Sequence, residues 1–179
     1  MRNTLVVSFA VLAVVAPSRA RAQAPDTPGA YISAGLGAGG EGLAGLASLG
    51  YRHGNRVVTL RVATTDELNI LGPLPSQSRS DVSVLVGRIV PGRYGFATAS
   101  AGLGLVHTVR RGQYLRSDPG FLWPVYHERL SETTAGLALS AKAVLSTRYA
   151  GIGLEGFGNL NPKASFVGLA MTLDVGKLR

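Results

Sequence analysis

The chain has no cysteine. That absence excludes disulfide-stapled folds, zinc ribbons and thiol catalysis together. Charge is scarce as well. Asp, Glu, Lys and Arg make up 16% of the 179 residues, against about 25% in an ordinary soluble domain. Basic residues never run together beyond the pair Arg110-Arg111, so no nucleic-acid-binding run is present. Past Ala24 there is no apolar run of the about 18 residues that a transmembrane helix needs. The longest uncharged stretch there, Tyr94–Val109, has 16 residues and is interrupted by glycine and hydroxyl residues. What the chain does have is apolar content, 46% of it, and 24 glycines. That is too much apolar surface for a disordered chain.

The first segment reads as an address. Arg2 precedes a 12-residue apolar run, Leu5–Ala16, broken only by Ser8 and ended by Pro17. The small-x-small pattern of Ala20, Arg21 and Ala22 then predicts a secretory signal peptide over 1–22, with Ala24 as a second cleavage position. No cysteine follows the apolar run, which excludes a lipid anchor. Cleavage after Ala22 removes three arginines from the 18 basic residues, leaving 15 against 10 acidic ones, a net charge of +5. These charges lie scattered over the predicted turns and loops, with no patch visible along the chain.

The remainder reads in twos, the period of β-strands. Eight segments are predicted: Ala30–Ala38, Leu43–Tyr51, Arg56–Thr65, Asp81–Val90, Tyr94–Arg110, Thr133–Ser146, Tyr149–Asn159 and Ala164–Gly176. In the third, Val58, Leu60 and Val62 alternate with Val57, Thr59, Arg61 and Ala63. In the last, Leu169, Met171 and Leu173 alternate with Gly168, Ala170, Thr172 and Asp174. The second segment leaves its faces ambiguous. In a soluble barrel the face opposite the apolar one meets water and usually carries Thr, Lys, Glu, Gln and Arg. Here that face is mostly Gly, Ala, Ser and Thr, which suits a narrow lumen. The apolar face is then expected to meet lipid, and a span without helices must be a closed barrel. The fold class predicted is therefore all-β: a closed antiparallel eight-stranded transmembrane barrel over 30–176.

Loop lengths and tyrosines agree with that reading. The connections Arg52–Asn55, Pro91–Arg93 and Thr147–Arg148 are short, whereas Asp66–Ser80 and Arg111–Glu132 are long. Short and long alternate as periplasmic turns and extracellular loops do. Tyr31, Tyr51, Tyr94 and Tyr149 fall at the short-turn ends of their strands, where an interfacial aromatic girdle is expected. Phe157 and Phe166 are expected at the opposite rim. On these residues the chain resembles the small eight-stranded outer-membrane barrels of the OmpA transmembrane-domain and OmpX type, over the whole of Ala30–Gly176. The resemblance implies an outer-membrane location and a plugged or gated polar lumen. The chain departs from that family at Gly176-Lys177-Leu178-Arg179, where a terminal aromatic residue is usual.

Several candidate residues follow. Arg61, Lys142, Glu155 and Asp174 share the lumen face and are expected to form a charge network, since a charge inside a narrow barrel must be paired or hydrated. Tyr114, Arg116, Phe121, Trp123 and Tyr126 in the long third loop combine aromatics with arginine, the composition of contact surfaces. They are expected to meet outer-membrane lipid and lipopolysaccharide, or a surface protein. The matches Gly35–Gly40 and Gly151–Gly156 to a dinucleotide fingerprint lack the following helix it requires. His53, His107 and His127 have no metal-site spacing. No cofactor, metal or nucleic acid is expected, and no catalysis. Two other functions are compatible with a barrel. One is an outer-membrane lipid-modifying enzyme, although Thr108 and Val109 stand where a serine would follow His107. The other is a secreted soluble lipocalin-like barrel with the faces reversed, binding a small apolar ligand.

Overall fold

The computed structural model describes residues 28–40, 42–67, 74–117 and 125–178. The predicted signal peptide and the loop residues Phe121 and Trp123 lie outside them. Eight strands form: β1 (Gly29–Gly39), β2 (Gly42–His53), β3 (Arg56–Glu67), β4 (Ser78–Pro91), β5 (Gly95–Ser117), β6 (Val125–Ser146), β7 (Ala150–Leu160) and β8 (Phe166–Gly176). Each pairs antiparallel with its chain neighbour, and β8 pairs back onto β1, so the sheet closes with no open edge. All eight strands coincide with the predicted segments to within a few residues, apart from the outward extension of β5 and β6.

The alternation decides the faces as expected. Ile32, Leu36, Val84, Leu103, Leu145 and Met171 point outward and are 54–77% exposed. Ser33, Arg61, Asp81, Glu155 and Asp174 point inward and are at most 3% exposed. The ambiguous second strand resolves with Ala44, Leu46, Ser48 and Arg52 inside and Leu43, Leu49 and Tyr51 outside. Two apolar clusters sit within the lumen. One, at the short-turn end, contains Tyr31, Val57, Ile89, Phe96, Val144 and Leu178. The other, toward the long-loop end, is built around Leu46, Val106, Phe157 and Phe166.

Three expectations need correction. Tyr31 does not belong to an outer girdle: it is inward and buried. It sits directly across from Gly50 on β2, where a Cβ would collide with the tyrosine ring. Glycine there opens the space that the ring fills. Phe157 and Phe166 are likewise inside, packed edge to face, and Phe157 lies across from Gly168 on β8 in the same way. The third correction concerns the loop Arg111–Glu132, most of which is strand. Pairing between β5 and β6 continues from Thr108↔Glu132 to Ser117↔Val125, with register shifts on either side of Tyr114. Such irregularities break the two-residue period, which hides the strands from a periodicity reading.

Both ends of the lumen are covered by chain. At the short-turn end Gly176, at a φ of +143°, redirects the backbone so that Leu178 enters the mouth. Lys177 N donates to Ala30 O at 2.9 Å, Leu178 N to Arg148 O at 3.0 Å, and Arg52 Nη1 to Leu178 O at 2.7 Å. At the long-loop end the β7–β8 connection folds back over the barrel. Arg79 Nη1 donates to Ser165 O at 2.8 Å, Arg110 to Lys163 O, and Lys163 pairs with Glu132.

Candidate functional site in the barrel lumen

The lumen holds two charged assemblies. The first is centred on Lys142 of β6. Its register partner on β7 is Glu155, with Lys142 Nζ to Glu155 Oε2 at 3.6 Å. The ammonium also reaches past β7 to pair with Asp174 of β8 and donates to Ser33 Oγ of β1 at 2.7 Å. Small lumen residues let it do so: at Gly153 of β7, a Cβ would meet Thr172 Oγ1 and Ala143 O. Each carboxylate has a hydroxyl of its own. Ser140 Oγ donates to Glu155 Oε1 at 2.8 Å, and Thr172 Oγ1 to Asp174 Oδ2 at 3.1 Å. Tyr31 places its ring 5.7 Å from the ammonium, joining this assembly to the apolar cluster at the short-turn end.

The second assembly is a crossbar. Arg61 of β3 is fully buried and spans the barrel to the far wall. Nη1 donates to Leu139 O on β6 at 2.8 Å, and Nη2 to Gly158 O on β7 at 3.3 Å. Nη2 also pairs with Asp81 Oδ2 of β4 at 3.1 Å, and Asn159 Nδ2 donates to the same oxygen at 3.4 Å. The guanidinium lies 5.6 Å from the Phe157 ring centre.

All four sequence-predicted lumen charges thus lie inside, but in two groups, with Arg61 apart from Lys142, Glu155 and Asp174. Asp81 and Arg52 were missed. Asp81 shares the parity of Ser83, Leu85 and Ile89 against outward Val82, Val84 and Val86, so its alternation marked it as inward. Arg52 lies on the inward parity of the ambiguous strand β2, where alternation gave no guide. The arrangement can fill and rigidify a lumen. Beside the Lys142 assembly lies a cavity of about 10 Å³, touching Tyr31, Ser48, Leu85, Lys142 and Glu155. A small-molecule pocket needs about 300 Å³ or more, so this cavity in the middle of the lumen is too small for a ligand. The outward apolar face excludes the reversed parity of the lipocalin-like reading.

Of the predicted girdle, Tyr51, Tyr94 and Tyr149 point outward at the short-turn end and are 52–66% exposed. Tyr114, Arg116 and Tyr126 stand on the extended β5–β6 hairpin. Tyr114 meets His127 edge to face at 6.0 Å, and Arg116 lies 5.0 Å from the Tyr126 ring centre. The β3–β4 connection braces this hairpin: Leu74 N donates to Val125 O and His127 N to Leu74 O, both at 2.7 Å, while Arg111 pairs with Glu67. His107 lies on the outer face with Nδ1 3.1 Å from Thr133 Oγ1. Among the described residues no group of His, Asp or Glu is arranged to hold a metal ion.

No family model matches the chain, and no curated protein does. Among solved structures, the N-terminal β-barrel domain of Pseudomonas aeruginosa OprF is 11% identical, with a TM-score of 0.53, over 83% of this chain and 96% of that one. Neisserial surface protein A is 11% identical, with a TM-score of 0.57, over 83% of this chain and 94% of that one. At that identity the likeness shows the fold: a small, closed, eight-stranded barrel.

Proposed function

We propose that the protein is an integral outer-membrane barrel with a plugged lumen, acting as a structural and surface-interaction element and not as an enzyme or a pore. One observation carries this reading, the inversion of the usual distribution. Large apolar side chains cover the outside of a closed ring while its ion pairs are inside. A soluble monomer rarely exposes apolar patches beyond a few hundred Å², and a closed barrel can cross lipid with every backbone group paired. The likeness to OprF and neisserial surface protein A supports the same assignment. The amino terminus and short turns then face the periplasm, and the β5–β6 hairpin faces outward. Tyr114, Arg116 and Tyr126 suit contact with anionic lipopolysaccharide, because guanidinium pairs with phosphate. Phe121 and Trp123 belong to the same segment of sequence.

The test is fractionation followed by gel migration. The processed chain is expected in the detergent-extracted outer-membrane fraction. Unheated samples should migrate as a compact band that shifts on boiling. Recovery from the soluble periplasm without detergent would sink the reading. In planar bilayers the wild-type protein is expected to show no steady conductance, since Leu178 fills the short-turn mouth and the charged assemblies fill the middle of the lumen.

A further inference from the structure

Along the sequence the basic residues look dispersed, but the fold sorts them. Inside the lumen Arg52, Arg61 and Lys142 stand with Asp81, Glu155 and Asp174. Around the long-loop end Arg79, Arg110, Arg111, Arg116, Arg129 and Lys163 stand with Asp66, Glu67, Glu128 and Glu132. Among the described residues the lumen set is neutral, and the long-loop end sets six basic residues against four acidic ones. What remains among the described residues is Arg56, Arg88, Arg93, Arg148 and Lys177, all at the short-turn end, while Asp26 and Arg179 lie outside the described residues and offset each other in the count. No carboxylate accompanies them there among the described residues. The basic residues without a carboxylate beside them are thus gathered into one ring.

From this we infer that the ring is a docking surface for anionic phospholipid headgroups in the periplasmic leaflet. The inference rests on the membrane reading above. Three features of the ring fit a lipid phosphate. Arg56 and Arg88 are direct register partners on β3 and β4, and both point outward. Like charges placed directly opposite repel, whereas a phosphate between two guanidiniums is held by charge-assisted bonds to each. Next, Arg93 lies 5.1 Å from the Tyr94 ring centre and Arg148 5.2 Å from that of Tyr149, so each guanidinium is stacked at the level of an exposed tyrosine. Tyrosine marks the headgroup depth. Finally, Arg88 stands at the lower end of an outer groove of about 500 Å³, floored by Ala99, Ala101, Ala141 and Gly156. The row Arg88, Ala99, Ala141, Gly156 is joined register by register. Each member lies one residue further from the short-turn end of its strand. The groove therefore climbs from the arginine toward the middle of the wall, the path of an acyl chain whose phosphate sits on Arg88.

The experiment is spin-label resonance on the folded protein in phosphatidylcholine bilayers containing trace spin-labelled phosphatidylglycerol or spin-labelled phosphatidylcholine. The anionic probe is expected at the protein surface with about fivefold preference, the factor that one basic residue near an anionic surface carries. Raising salt from about 0.1 M to about 1 M, which shrinks the screening length from about 10 Å to about 3 Å, should remove it. The variant Arg56→Gln, Arg88→Gln, Arg148→Gln, Lys177→Gln should lose the preference. The control Arg110→Gln, Arg116→Gln, Arg129→Gln, Lys163→Gln should keep it. A chain that inserts and shows its heat-shifted band, yet has no preference, overturns the inference and leaves the membrane reading intact. Equal loss in both variants overturns it too, as does retention on soluble peptidoglycan fragments without lipid selectivity. A chain that never enters the bilayer overturns both readings.

Discussion

At the scale of single residues, the lumen is held by side chains that reach across it. Arg61 crosses from β3 to carbonyls of β6 and β7, and Asp81 supplies its carboxylate. Removing one member of a buried pair leaves the other desolvated and alone, at a cost of about 3–5 kcal/mol, whereas replacing both with apolar groups is often neutral. Asp81→Ala should therefore lower unfolding stability in lipid by about 3–5 kcal/mol, and Arg61→Leu with Asp81→Leu should recover most of it. Urea titration followed by gel shift measures both, and equal losses in the single and double variants would refute the crossbar. Gly50 makes a second case. Gly50→Val drives a side chain into the Tyr31 ring, which should cost about 1–3 kcal/mol by overpacking. Adding Tyr31→Ala should reverse much of that loss, because the ring is the obstacle. Position along a strand could not reveal this pairing. Tyr31 sits where interfacial tyrosines sit, and only the register that brings Gly50 opposite shows that its ring turns inward.

At the scale of elements, strand existence and facing were legible and strand ends were not. β3, β7 and β8 alternate in sequence, as does β6 from Thr133 onward, and these stretches fall where their periodicity predicts. β5 and β6 run past the predicted ends because their outer halves pair with each other through bulges, with charged and polar residues on both faces. Periodicity vanishes there although pairing does not. The segment after β8 is another element that alternation could not disclose. It is too short to show a period, yet Leu178 is 1% exposed in the short-turn cluster. If it acts as a stopper, Leu178→Ala should lower stability by about 2–3 kcal/mol, within the range for truncating a buried leucine. Lys177→Ala, whose link is through its backbone N–H, should change it little. Matching denaturation midpoints for Leu178→Ala and wild type would show that the tail contributes nothing.

At the scale of the whole molecule, the barrel has a direction, set by the short turns at one end and the braced hairpin at the other. The two ends also differ in charge: among the described residues only basic ones stand at the turns, whereas basic and acidic ones are mixed at the hairpin end. The absence of native cysteine makes that direction measurable, because any introduced thiol is the sole reactive one. Gln113 is exposed on the hairpin, and Asn55 is exposed in the β2–β3 turn. With the membrane reading, Gln113→Cys should react with an impermeant maleimide on intact cells within minutes. Asn55→Cys should stay unlabelled until the outer membrane is opened, and should then react as fast. The separation between the two sites follows from topology alone, since antiparallel strands joined in chain order place every even-numbered connection at one end. Labelling of Asn55→Cys on intact cells, with Gln113→Cys protected, would invert the barrel and move the basic ring to the outer surface. Labelling of both without permeabilisation would remove the protein from the membrane altogether.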